Sequence, residues 1–495
     1  MSAVRHRRLT LTGSITGAAI VALDGTVLTV AQPTMQKDLH ASFVEVQWTS
    51  TGYLVAVASL LVFAGRLGDR YGHQQVFTVG ILGFAAASAG IGLAPGVGWV
   101  IGLRVAQGIF GALLQPATLG MLRATYPPDR LGMPIALRAG AIGLAAAAGP
   151  IVGGALTTHL GWRAVFFLGV APALAIGVSA LAIRVPTPPR AAVRLDLTGA
   201  CLLAVALACL VHTLVGIPEA GWTAPVALGC VSAAAGGTFL WHERRTTCPL
   251  VPPDVLGSAT VGSALAVLLC ASASLFGALF VGTYFLQGAL GMDPLESGLT
   301  GLPLAAAMVL SSPASTVLMR RQGARRTAVG AMVLLALGML VLSRVDQAST
   351  PLTISGGFLL LGVGFGTVMV TATAVIVRHA SVESAGVAGG LQQTAMNIGP
   401  ALGVAAATML VTLTPTGPAG GPHDRGLLGT AAGLISAMGS TLVVLAAVAG
   451  GGALLALKLP GRIGDAEPAV PRQGDRRLPG EPDAASHGIT TPRSP

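Results

Sequence analysis

Two residues in this chain have the type and setting for proton chemistry in an apolar medium. Asp24 is the one carboxylate that falls well inside a long apolar run, and Arg104 lies inside another. A charge at such depth is expensive, so an ionisable residue there is a functional candidate by default. A carboxylate can take up and release a proton, and a guanidinium beside it stabilises its ionised form and competes with that proton. Asp24 lies seven residues from the expected outer end of its helix, and Arg104 lies seven from the outer end of its own. At 1.5 Å rise per residue both sit about 10 Å deep, level with one another. Asp24 is the expected proton site and Arg104 its modulator. A purely structural ion pair, or a helix-end aspartate reaching water, would use the same residues.

These groups need a membrane bundle to hold them. Of 495 residues, 10% are charged and 53% hydrophobic, against roughly 25% charged in soluble domains. Charge-free runs such as Val255 to Met292 and Pro351 to Val377 exceed the roughly 20 residues that cross a bilayer. Each must satisfy its own backbone and is therefore helical. About fourteen spans follow: 9–31, 44–64, 76–94, 97–119, 133–156, 165–183, 197–217, 224–240, 259–286, 297–318, 327–342, 352–377, 388–413 and 427–456. The 68 glycines lie mostly inside these runs, where small residues let helices approach closely. Trp48, Trp99, Trp162, Trp222 and Trp241 fall near span ends, as an interfacial belt requires.

With the amino terminus in the cytoplasm, Lys37, Arg163, Arg344 and Arg425 fall outside and Arg104 and Arg138 within spans; all other Lys and Arg are cytoplasmic. The formal charge of +10 is thus topology, with no nucleic-acid partner implied. Arg138 is expected to snorkel to the cytoplasm, and His212 to be structural. The first apolar run is too long for a signal core and contains Asp24, so it counts as a span. The segment from Pro460 onward is too poor in apolar residues to fold. The five cysteines have neither CxxC spacing nor a histidine cluster, and no metal, disulfide or cofactor is expected. With only two lysines, Lys37 and Lys458, there is no GxxxxGK[ST] loop for ATP. No HExxH or Ser/His/Asp pattern suggests an enzyme.

GRLGDRYGHQQ (65–75) aligns with TVLMRRQGARR (316–326), and GPIVGG (149–154) with GPALGV (399–404). Both matches lie about 250 residues apart, which indicates duplicated halves. The expected organisation is a cytoplasmic N-terminus (1–8), a six-helix bundle (9–184), an inserted helix pair with linkers (185–254), a second six-helix bundle (255–458) and a disordered cytoplasmic tail (459–495). Parallel six-helix repeats around a central site characterise one class of secondary transporters.

Together these stretches resemble the major facilitator superfamily, in particular its fourteen-helix drug:proton antiporters. LDGTVLTVAQP (23–33) resembles the first-span motif, with Thr29 and Gln32 where Asn and Leu are usual. GRLGDRYG is similar to the loop signature, with His73 and Gln74 in place of a basic pair. LRVAQGIFGA (103–112) resembles the fourth-span motif and GPIVGG the core of the fifth-span antiporter motif, whose upstream Gly140 and Gly143 are off the usual spacing. YFLQGALGMDPLESGLTGLP (284–303) resembles a stretch of the fourteen-helix branch. The resemblance implies proton transfer involving Arg104, a gating loop at Gly65, Asp69, Arg70 and Gly72, and an antiporter motif at Gly149, Pro150, Gly153 and Gly154, which have no reactive groups and serve packing and a kink.

Gln107 lies one turn beyond Arg104 on the same face. Phe276, Phe280 and Tyr284 form a stripe at i, i+4, i+8, with Gln287 nearby, and Gln393 and Asn397 pair one turn apart. These residues suit a cavity for an amphipathic small molecule, or simple helix packing. The functional expectation is a monomeric proton-coupled exporter of small organic molecules in a lipid bilayer. An importer of the same fold, and a transporter-like sensor or lipid translocator, are the alternatives. The preference for Arg over Lys, with abundant Ala and Gly, points to a GC-rich bacterial genome.

Overall fold

The computed structural model describes residues 3–127, 130, 132–181, 196–220, 223–246, 249, 258–346, 349–379, 385–413 and 431–461. The expected tail beyond 461, the basic segment Arg184 to Arg194, Arg425, Trp222 and Cys248 lie outside the described residues. The described chain is helical: α1 (Ala3–Asp38), α2 (Phe43–Tyr71), α3 (His73–Gly92), α4 (Val97–Thr125), α5 (Gly132–Leu160), α6 (Trp162–Phe167) and α7 (Val170–Leu181). There follow α8 (Leu197–Ala220), α9 (Thr223–Arg245), α10 (Ala259–Tyr284), a π-helical turn (Phe285–Ala289), α11 (Pro294–Thr300), α12 (Leu302–Leu342), α13 (Pro351–His379), α14 (Ala385–Leu413) and α15 (Ala431–Ala456). Among the described residues ten helices are long and apolar enough to cross a membrane, and an eleventh, Phe43–Tyr71, is bent by 52°.

Helix starts follow local chemistry. Ser42 and Glu45 form a reciprocal capping box on α2, and Asp293 with Glu296 forms another on α11, where Pro294 sits at the first turn. Several boundaries differ from the sequence expectation. The expected sixth span begins earlier, at Trp162, and runs to Leu181 as α6 and α7, which are two residues apart. The expected loop at 65–75 is helical through Tyr71, and only Gly72 interrupts it. The expected tenth and eleventh spans are the two helical segments of α12, which Gly323 separates as the one non-helical residue between them. Gly72 has φ 95° and Gly323 φ 84°, values that glycine adopts without a Cβ penalty, so one residue replaces a loop at each joint.

The same devices recur in both parts of the chain. After each glycine joint a side chain clasps the carboxyl end of that part's last helix: Gln74 donates to the Ala180 carbonyl at 3.1 Å, and Arg325 Nε donates to the Leu459 carbonyl at 2.7 Å. Gly149 and Gly153 of α5 sit against Thr26 and Val27 of α1, while Gly399 and Gly403 of α14 sit against Ser272 and Ala273 of α10. The apolar cores divide likewise. One cluster draws on residues 261–459 with Phe43, and two others on residues 20–180. A fourth joins α2, α8 and α14 through Val55, Ala58, Leu207, Val211, Ala401 and Ala405.

A Cβ on Gly403 would lie 2.0 Å from the Ala273 carbonyl oxygen, a backbone atom that cannot swing aside, whereas one on Gly450 meets nothing within 4 Å. Gly403→Ala is expected to destabilise the detergent-solubilised protein by about 2 kcal/mol, and Gly450→Ala to leave it unchanged within about 0.5 kcal/mol. Thermal unfolding of the two variants checks this.

Candidate functional site: a buried acid, arginine and amide

The segment Gly108 to Ala112 brings α4 onto α2. A Cβ on Gly108 would fall 2.6 Å from the Tyr53 carbonyl, so only glycine admits this approach. The close crossing sets Arg104 on the Thr49 carbonyl, to which its Nε donates at 2.8 Å, and its guanidinium carbon 4.4 Å from the centre of the Tyr53 ring. The Phe166 ring stands 5.9 Å away. Arg104 is 1% exposed, and its NH1 reaches Asp24 Oδ2 of α1 at 2.6 Å.

Gln107, three residues along α4, shares the face of Arg104. Its Oε1 accepts from Arg104 NH1 at 2.6 Å, while its Nε2 donates to Asp24 Oδ1 at 3.0 Å and to Ser88 Oγ of α3 at 2.7 Å. Asp24, whose side chain is 10% exposed, thus has both oxygens engaged. Removing two charges from water is costly, and further hydrogen bonds of this kind offset the cost. A carboxylate so held can bind a proton, and a proton there must disturb the ion pair. Gln107, expected to line a substrate cavity, is wholly buried in this network. Ser88, Thr49 and Tyr53 carried no signal in the sequence; Thr49 contributes only its carbonyl here, which any residue has.

In the expected gating segment Asp69 pairs with His73 Nε2 at 3.2 Å, and Arg70 lies over the Tyr71 ring at 5.3 Å. The His73 ring fills the space left by Gly68 and Gly120, where a Cβ would come within 2.3 Å of it. Gly65 faces Pro116 of α4, and Arg66 bonds the Pro249 carbonyl. The two residues that depart from the usual basic pair thus take structural positions, His73 in a glycine cradle and Gln74 in the clasp to Ala180.

The GPIVGG segment faces two ways. Gly149 and Gly153 meet α1, while Pro150 and Gly154 meet α11 of the second half: a Cβ on Gly298 would lie 2.3 Å from the Pro150 carbonyl oxygen, and one on Gly154 2.5 Å from that of Pro294. Nearby, Leu295 N donates to Thr158 Oγ1 at 3.3 Å and Gln287 Nε2 to the Val30 carbonyl at 2.9 Å. Phe280 and Tyr284 pack with Phe43 of α2 at ring-centre distances of 5.1 and 4.7 Å. These contacts close the two halves on each other at the end of the bundle away from the start of α1 and the carboxyl end of α15.

Of the expected cavity residues, Phe280, Tyr284 and Gln287 belong to that seal, and Phe276 packs edge-on to Phe365. On α14, Asn397 turns its amide back to the Gln393 carbonyl at 2.8 Å, while the Gln393 side chain is exposed. Arg138, expected to snorkel outward, instead bonds Thr118 Oγ1 at 3.0 Å and the Gln115 carbonyl at 3.4 Å, because α4 offers acceptors inside the bundle. Trp162 is buried and donates to Asp38 at 2.8 Å, so packing rather than the membrane surface holds it. His212 stacks near Trp48, ring centres 5.7 Å apart.

Comparison with known proteins agrees with this architecture. A tetracenomycin C resistance and export protein of Streptomyces glaucescens is 43% identical over 405 residues, covering 81% of this chain and 75% of that protein. A puromycin resistance protein of Streptomyces alboniger is 33% identical, with 78% of each chain covered. A methylenomycin A resistance protein of Streptomyces coelicolor is also 33% identical, with 80% of this chain and 84% of that protein covered. Among solved structures, an inward-facing, unoccupied bacterial homologue of the human lysosomal transporter Spinster has the same fold, with a TM-score of 0.62 at 18% identity over 91% of this chain and 97% of that one. The family model of the Major Facilitator Superfamily matches residues 15–404, which takes in the Asp24, Arg104 and Gln107 network, both glycine joints and the GPIVGG seal. A membrane bundle of repeated halves with these relatives is a transporter and not an enzyme: the chain belongs to the major facilitator superfamily.

Proposed function

We propose that this protein is a proton-coupled antiporter that exports small organic molecules, antibiotics among them, across a bacterial cell membrane and so confers resistance. The observation that carries the reading is the buried ion pair of Asp24 and Arg104, set within a superfamily whose relatives here are named for antibiotic resistance and export. Asp24 carries the proton and Arg104 competes with it. At roughly 2.3 kcal/mol per charge per 100 mV, one proton per cycle supplies useful work.

Both termini face the cytoplasm, a reading that the distribution of Lys and Arg supports. The sealed end is then the outer one, and the halves 9–184 and 255–458 rock about the site as a monomer, with the inserted pair 185–254 beside them and the tail 459–495 in the cytoplasm. The segment Gly65, Asp69, Arg70 and Gly72 gates the inner end. The cargo is amphipathic, and Phe276, Gln393 and Asn397 contact it along the path between the halves. Phe280, Tyr284 and Gln287 join the path when the outer seal opens. No nucleic acid and no cofactor takes part.

Expression in a bacterial host stripped of its own pumps tests this against tetracenomycin C, puromycin and methylenomycin A. Resistance to at least one, abolished by a protonophore, is the expected result. Increased accumulation would mark an importer, and unchanged susceptibility and accumulation across a broad antibiotic panel would favour a sensor or lipid translocator.

A further inference from the structure

The network around Asp24 contains one group whose chemistry the ion pair alone does not use. Gln107 presents opposite ends of its amide to the two charged partners, its carbonyl to Arg104 NH1 and its NH2 to Asp24 Oδ1, with the second N–H on Ser88. This orientation suits an ionised carboxylate, because a carboxylate only accepts and a guanidinium only donates. Among the described residues, the charged and titratable groups facing Asp24 are Arg104 of α4 and the Tyr53 phenol of α2.

A proton on Asp24 changes the match. On Oδ2 it stands directly against Arg104 NH1. On Oδ1 it turns an acceptor into a donor facing Gln107 Nε2, itself a donor. A half-turn of the amide about its last side-chain bond presents Oε1 to the new carboxylic O–H. The same half-turn brings Nε2 against Arg104 NH1, and a guanidinium has no acceptor to offer. Arg104 must then swing away from Asp24, while the Thr49 carbonyl and the Tyr53 ring still hold it. The Ser88 hydroxyl both donates and accepts, so it fits either amide orientation. The only bond formed is the carboxylic O–H, and the proton comes from and returns to water.

We infer that Gln107 is a positioning residue that transmits protonation of Asp24 to release of Arg104 by a half-turn of its side-chain amide. This rests on the reading of Asp24 as the proton site. The test uses the full chain with its five cysteines replaced and spin labels at His159 and Leu299, on opposite halves at the sealed end. The unmodified protein is expected to change its label separation between alkaline and acidic pH, and Asp24→Asn to abolish the change. Gln107→Met fills the same volume without an amide, so a packing role would survive it; loss of the pH response with Asp24 and Arg104 intact is expected. A Gln107→Met protein that responds like the unmodified one overturns the inference alone. An Asp24→Asn protein that still responds, or an unmodified protein that never does, overturns the underlying reading as well. Infrared difference spectra of the unmodified protein across the same pH step need no folded variant at position 107. The carboxylic band must come with a shifted side-chain amide band, and a carboxylic band alone overturns the inference.

Discussion

Asp24→Asn is expected to reduce transport driven by a pH gradient to the level of empty vesicles while leaving membrane insertion and yield unchanged. Asparagine keeps the size of the side chain and an oxygen for Arg104, but it cannot take a proton. Removing one partner of a buried ion pair commonly costs about 3–5 kcal/mol, because the other charge is stranded. Arg104 is less exposed to that cost than most, since the Thr49 carbonyl and the Tyr53 ring still face it. The protein should therefore fold and fail in coupling. Comparing expression with uptake into vesicles under an imposed gradient separates the two, and retained gradient-driven uptake would remove Asp24 from the mechanism.

Gly298→Val should leave each half folded and stop the cycle at the seal. The added side chain begins 2.3 Å from the Pro150 carbonyl oxygen, a backbone atom in the other half, so the sealed arrangement must open to admit it. Overpacking costs of roughly 2 kcal/mol shift a two-state equilibrium more than tenfold, and a fall in resistance of about tenfold or more follows. Gly140→Val, where a Cβ meets nothing within 4 Å, is the control and should keep its resistance. Susceptibility of strains expressing each variant at equal level gives the comparison. Equal resistance in the two would mean that the contact between α5 and α11 does not limit transport.

The helices were legible because charge-free runs in lipid have few alternatives, and the level placement of Asp24 and Arg104 followed from a fixed rise per residue. What was not legible depends on partners from distant segments. Gln107 read as a cavity residue because the sequence places it beside Arg104 but does not show that Ser88 of α3 and Asp24 of α1 converge on its amide. Phe280 and Tyr284 read as one wall of a cavity, and Phe43, far away in sequence, turns that wall into a packed seal. Arg138 read as bound for water because its acceptors, Thr118 and Gln115, belong to another helix. The charged segments at 65–75 and 316–326 read as loops by composition. Each needs only one glycine of positive φ to turn the chain, so helix continues to either side. The internal repeat was visible in those motifs, while the clasps of Gln74 and Arg325 onto the last helices required the fold.

The coupling of proton to cargo is tested most directly with purified protein in vesicles containing a trapped pH dye. When a compound to which the protein confers resistance is added without any imposed gradient, the unmodified protein should move protons in the opposite direction to the compound, and Asp24→Asn should move none. Movement of the compound by the unmodified protein with no accompanying proton movement would contradict proton-coupled export.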